Sequence, residues 1–207
     1  LRNISRLINN QIDTSLSNTE ILVASARTFF HDLEKIDNKA IRDGRIVDFF
    51  KSSEDVLNEK FSSIKIYDQN NDEIYSSGFH STTPHFSVQL ETPENIHSEL
   101  IWDEQFKLRN SKIILDKQGN SIGHIIVEQT MVELTQIFSE ATLIGSTGDF
   151  LLCTATKQSL IEADCFLRRP SGNEFRRIRR IVDDIPRPIH LALNRQDGII
   201  FTRDYRG

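Results

Sequence analysis

The chain has 207 residues, 38% of them hydrophobic and 13 of them Phe, so it is long enough for a buried core and too apolar to be disordered. A formal net charge of -5, from 30 acidic and 25 basic residues, argues against a surface that is basic throughout, as a nucleic-acid footprint requires. The longest apolar runs, ILVA at 21–24 and triplets such as IIL, IIV and IIF, fall far short of the roughly 18 residues of a membrane span; with a start at Leu1 that is not Met and does not have the basic and apolar regions of a signal peptide, the sequence reads as a folded, soluble piece of a longer protein.

Residues 1–34 predict one long helix. Leu1, Ile4, Ile8, Ile12 and Leu16, then Leu22, Val23, Phe29, Phe30 and Leu33, recur mostly every three or four positions. The stripe is narrow and heptad-like at its start, which suits a partner helix, and broadens near Phe29 and Phe30, where a globular body should meet it. Gly44 punctuates the chain, and a shorter helix is expected over 46–57, with Phe49, Phe50, Val56 and Leu57 inward. After Phe61 the period changes to two. SSIKIYDQNNDEIYSS predicts strand, turn, strand, and SKIILDKQGNSIGHIIVEQ repeats the plan around KQGN. Between them, 79–111 reads as loop-rich, with Pro84, Pro93 and one strand over 86–90. MVELTQIF (131–138) predicts a helix, the cysteine-bearing segment a third hairpin, and IIFTRDYRG (199–207) a last strand. The expected class is α+β: helices over 1–58, an antiparallel module over 59–140 and a second over 141–207.

The chemistry-bearing residues are few. Cys153 and Cys165 stand at the two ends of a hairpin, where they could form a bridge or remain reduced core thiols; spacing alone leaves both open. Trp102 in HSELIWDEQF could wall a pocket, but a core plug is the commoner fate of a tryptophan. Glu128 interrupts the apolar strand IIVEQ; it either ends the strand in solvent or faces inward and needs a partner. Tyr67, Tyr75 and Arg109 are weaker ligand-contact candidates, read as surface or rim.

Arg168, Arg169, Arg176, Arg177, Arg179 and Arg180 set six positive charges against Glu174, a possible anion patch that also reads as a solvated face. Only Phe166 and Phe175 lie near enough to stack on bases, so nucleic acid is not an expected partner. No nucleophile elbow, zinc-protease, P-loop or dinucleotide motif is present, so no catalytic residue is assigned. His80 and His85 lack the company a metal site needs, and Glu99, Asp103 and Glu104 read as a solvated acidic face. No cofactor or metal is expected.

The order of long helix, hairpin SSIKIYDQNNDEIYSSG, hairpin ILDKQGNSIGHIIVEQ, then GSTGDFLLC, DCF, PIHLAL and DGIIFTRDYRG resembles the double CACHE family, the extracytoplasmic PAS-like sensor domains of bacterial membrane receptors. GSTGDFLLC resembles that family's strand entry and TRDYRG its DYRG signature. The resemblance implies two PAS-like modules in series on the first helix, membrane-distal and membrane-proximal, the second incomplete at Gly207. It also implies a Cys153–Cys165 disulfide. An inner-membrane receptor is expected, with this part in the periplasm, flanking spans outside the sequence and homodimerisation through the first helix. The output would be a diguanylate cyclase or phosphodiesterase (GGDEF, EAL) or a histidine kinase. Proximity to the membrane would make lipid phosphates natural partners of the arginine cluster. The family's amino-acid sensors carry an R-x-WY element and an Asp after the last distal strand. This chain has no R-x-WY, and Glu128 takes the Asp position, which points away from an α-amino acid and toward another small polar or cationic ligand.

Overall fold

A helix that must cover a sheet needs one continuous inward face, and α1 (Arg2–Leu33) supplies it with Leu22, Val23, Ala26 and Phe30. The computed structural model describes residues 2–33, 39–81, 86–90, 92, 96–141, 150–155, 161–169 and 172–194. Outside the described residues lie Leu1, Pro84, His85, Pro93, the GSTGD segment and the tail with TRDYRG, and also the side chains of Ile4, Leu33, Arg168, Arg169, Glu174 and Phe175. The chain divides into two compact units, Leu1–Thr135 and Gln136–Gly207.

In the first unit, α2 (Lys39–Ser52) and α3 (Glu54–Asn58) precede β1 (Ser63–Asp68), β2 (Glu73–Gly78), β3 (Phe86–Leu90), β4 (Ile96–Asp103), β5 (Gln105–Leu115) and β6 (Ser121–Thr130). These strands form one antiparallel sheet in the order β2-β1-β6-β5-β4-β3. Gly44 does not end a helix but lies inside α2; its missing side chain faces open space, and burial of Ile46 and Phe50 offsets the helix penalty of a glycine. The stretch expected as loop holds β4, whose Ser98, Leu100 and Trp102 are buried.

Pleat alternation gives the sheet two unlike faces. Ile64, Ile66, Tyr75, Ile114, Ile125 and Val127 pack with α1 and α2. Phe29 stacks on Phe49 at 4.4 Å between ring centroids, and Phe50 on Tyr75 at 5.4 Å. The first-helix stripe is not left bare: Ile8, Ile12 and Leu16 are half-buried, while Leu7 and Ile21 carry the exposed apolar surface, at 41% and 57%.

A polar seam crosses this otherwise apolar layer. Asn110 on β5 donates to Ser15 Oγ (3.1 Å) and Thr19 Oγ1 (2.9 Å) of α1 and accepts from Ser98 Oγ of β4 (2.7 Å). All four residues are fully buried, so their side chains satisfy one another, with the Thr19 hydroxyl also donating to the Ser15 carbonyl at 2.8 Å.

The helix α4 (Val132–Ala141) follows β6, and in the second unit β7 (Phe150–Ala155), β8 (Glu162–Arg169) and β9 (Gly172–Arg179) form a three-stranded antiparallel sheet. A short hairpin, β10 (Ile181–Val182) and β11 (Ile185–Pro186), turns through Asp183 and Asp184, both at positive φ, before α5 (Pro188–Leu193). Cys153 and Cys165 are direct cross-strand partners with their sulfurs at disulfide distance. Buried Ala163, Cys165, Ile178 and Ile189 make the small core around them.

Two outcomes follow from this packing. Asn110→Leu takes a hydrogen-bond partner from three buried hydroxyls, of which Thr19 keeps its bond to the Ser15 carbonyl, and should cost about 1–3 kcal/mol in urea unfolding; an unchanged midpoint would show that the seam does not depend on Asn110. Mass spectrometry of unreduced protein should find the mass two hydrogens low, and reduction should destabilise the second unit by about 3 kcal/mol, as expected for a short loop.

Candidate functional site

The face of the sheet turned away from α1 carries charge where the other carries apolar side chains. Register pairs Glu128 of β6 with Ser63 of β1 and Arg109 of β5, and Arg109 with Glu99 of β4, so these four share that face. Gly78 ends β2 at φ 71°, where an added Cβ would stand 2.1 Å from the Ser62 carbonyl oxygen. That glycine turn brings His80 and Ser81 to Glu128.

Glu128 is 0% exposed and is held from several sides. Arg109 donates to its Oε1 from Nε (2.9 Å) and Nη2 (2.6 Å), and the Ser81 N–H donates to Oε2 at 3.3 Å. His80 Nδ1 lies 3.8 Å from Oε1, too long for a direct hydrogen bond, and 3.2 Å from Ser63 Oγ. Lys107 Nζ stands 3.9 Å from Oε2 and 3.3 Å from Asp103 Oδ2. Arg109 also donates to the Ser81 carbonyl and reaches Glu99 at 3.5 Å, while Ser87 donates to the same Glu99 carboxylate. Burial alone pushes the Glu128 carboxyl up; the proximity of His80, the bonds and charge of Arg109 and the Ser81 N–H outweigh it and lower its pKa from 4.5 to about 2. The carboxylate is therefore ionised and already paired.

Arg109, expected at the rim, is thus the partner of Glu128. The other predicted contacts lie elsewhere. Tyr67 shares the Glu128 face but stacks on His124 at 4.4 Å, and His124 is four residues, or about 13 Å, along β6 from Glu128. Burial lowers the pKa of that histidine. Tyr75 faces the helices and stacks on Phe50. Trp102 is 5% exposed on the helix-side register and meets Phe106 edge-on at 4.7 Å, so strand alternation turns it away from Glu128. Glu99 and Asp103 do not form a solvated face, for they bond Arg109 and Lys107; Glu104 alone is exposed, at the β4–β5 tip with φ 60°. The residues sequence reasoning missed, Lys107, Ser81 and His80, had one legible signal. In QFKLR the cations alternate with Phe106 and Leu108, the period of a strand with a charged face.

A groove of about 690 Å³ lies between α1 and the end of β5, lined by Glu20, Val23, Arg27, Lys112, Ile113 and Leu115 among others. Ion pairing of Lys112 with Glu20, and donation from Arg27 to the Asp116 carbonyl at 3.0 Å, bridge its walls. Among the described residues no three His, Cys, Asp or Glu side chains converge as metal ligands would.

Among the described side chains of the arginine cluster, Arg176, Arg177, Arg179 and Arg180, strand geometry breaks the patch up. Arg177 is bonded to Asp164 at 2.8 Å, Arg179 stands in register with Glu162, and Arg180 is buried and donates to Asn194 at 3.1 Å. Arg176, one position from Arg177 on β9, alternates to the other face.

No protein-family model matches the chain, and no curated protein matches it.

The folded-state pKa of Glu128 lies below its ordinary value, so its stabilisation is full above about pH 4.5 and is lost as pH falls through about 2. The stability gap between wild type and Glu128→Gln should accordingly close between those two pH values in urea titrations. Arg109→Ala leaves a buried carboxylate without its main partner and should cost about 3 kcal/mol at neutral pH.

Proposed function

We propose that this chain is the ligand-sensing portion of a bacterial transmembrane receptor, built from two PAS-like modules of the double CACHE type. It would lie in the periplasm and relay occupancy of the first unit to a cytoplasmic output, either cyclic-di-GMP turnover through GGDEF or EAL domains or a histidine kinase. The observation that carries this reading is the constellation of buried Glu128 and Lys107 with half-buried Arg109 and His80 on the sheet face turned away from α1. Buried charges are weak contributors to stability compared with apolar residues of the same size, so their concentration at one place favours recognition over scaffolding.

Two further features support it. The cysteine pair at disulfide distance suits an oxidising compartment. The exposed Leu7 and Ile21, two heptads apart on α1, suit a parallel dimer in which the helices of two receptors meet.

Ligand binding to the folded state raises the melting temperature by mass action. A thermal-shift screen of amines, carboxylates and amino acids should give a hit whose stabilisation is weakened by Arg109→Lys, which keeps the charge but loses the two-pronged grip on Glu128. A screen without hits, or a hit indifferent to that substitution, would remove the site from the sensor reading.

A further inference from the structure

Glu128 has no unmet demand: Arg109, Ser81 and the nearby Lys107 neutralise and bond it. The unmet demand lies on His80, whose side chain is 9% exposed and whose Nε2 is buried without a hydrogen-bond partner. The other ring nitrogen faces Ser63 Oγ at 3.2 Å and the ionised Glu128 at 3.8 Å; the Ser63 hydroxyl can either donate or accept there, so the nearby carboxylate, which repels a lone pair and attracts a proton, decides the tautomer. The proton of neutral His80 therefore sits on Nδ1, and Nε2 presents a lone pair. A buried acceptor with nothing to accept is costly unless something fills it.

The surrounding charge limits what that something is. The carboxylates of Glu99, Asp103 and Glu128 face the two permanent cations Lys107 and Arg109, so with His80 neutral one negative charge is left uncompensated among these side chains. Lys65, the next residue of β1 on this face, is already taken by Glu73 at 3.0 Å. A cation bearing N–H donors meets both needs at once, whereas an anion meets neither.

Resting on the sensor reading above, we propose that His80 Nε2 is the ligand's hydrogen-bond acceptor, that the ligand is a small protonated amine, and that Glu128 is a positioning residue that fixes the His80 tautomer. The contact to ligand thus belongs to the histidine after β2 and not to the carboxylate of β6.

Long-range proton–nitrogen NMR of the imidazole rings tests this on the full chain, with propylammonium and propionate as probes matched in size and opposite in charge. Before any addition, His80 should show its proton on Nδ1; a proton on Nε2 overturns the assignment. Propylammonium should then shift the Nε2 resonance in a saturable way, and propionate should not. His80→Phe should weaken propylammonium binding by about tenfold or more, the worth of one hydrogen bond to a charged group. Ser63→Ala, which leaves the Glu128–Arg109 pair whole, should keep the tautomer, whereas Glu128→Gln should lose it and weaken the amine. If Glu128→Gln changes stability alone, with tautomer and affinity intact, its role is structural and the proposal fails. Saturable binding of propionate on this face, with His80 unmoved, would overturn the amine while leaving the sensor reading in place. An Nε2 resonance that neither probe moves marks a buried water as the occupant and overturns the proposal as well.

Discussion

An ionised carboxylate in the middle of a β-sheet is the constraint around which the first unit is arranged. Desolvating such a group costs several kcal/mol unless its oxygens are bonded and its charge matched. Every strand and turn within reach contributes to that end. β5 supplies Arg109 and Lys107, β1 supplies Ser63, and the Gly78 turn brings the Ser81 N–H and the His80 ring. Arg109 answers with a fork of two donors to one oxygen, a geometry that lysine does not reproduce. Its remaining donors then call in Glu99 and the Ser81 carbonyl, so one buried charge propagates into a network that spans four strands and a loop. Removal of any single member leaves the others with less than they need, which is why such networks are worth more together than pair by pair.

Much of the fold was legible because its signals are periodic. The α+β class, the long first helix, the two hairpins at 62–78 and 111–129, the strand over 86–90 and the helix after Met131 all follow from spacing and turn residues, and the structure has them there, with β5 reaching back to Gln105 into the stretch expected as loop. β4 was missed because IHSELIWD mixes a helix-side row of Ile96, Ser98, Leu100 and Trp102 with a mostly polar row of His97, Glu99, Ile101 and Asp103. A strand with one charged face looks like a loop when it is judged by overall polarity. Gly44 misled for the opposite reason, since a local penalty of about 1 kcal/mol is small beside the burial of two large side chains in the same helix. At the site, Glu128 stood out because it is a lone carboxylate in an apolar run. Its partner was not legible, because cross-strand register joins residues 19 apart and sequence spacing carries no register. Trp102 and Tyr75 were drawn toward the site by chemical type, yet alternation of one residue along a strand sends a side chain to the other face.

The same alternation joins the charged face to the helix. Arg109 and Asn110 are neighbours on β5, and Glu99 and Ser98 are neighbours on β4. On one face the pair Arg109 and Glu99 belongs to the Glu128 network; on the other, Asn110 and Ser98 hold Ser15 and Thr19 of α1. Two buried polar clusters therefore sit back to back, separated only by the thickness of the sheet. Hydrogen bonds weaken within a few tenths of an ångström and with modest changes of angle, unlike apolar contacts, which slide. A displacement of β5 at Arg109 is thus felt at Asn110, whose bonds to α1 stand at 2.9 and 3.1 Å, while the apolar layer of Leu22, Val23 and Ala26 tolerates the same displacement with little change in free energy. The polar seam makes the position of α1 depend on the strand that carries Arg109, and an all-apolar layer would not.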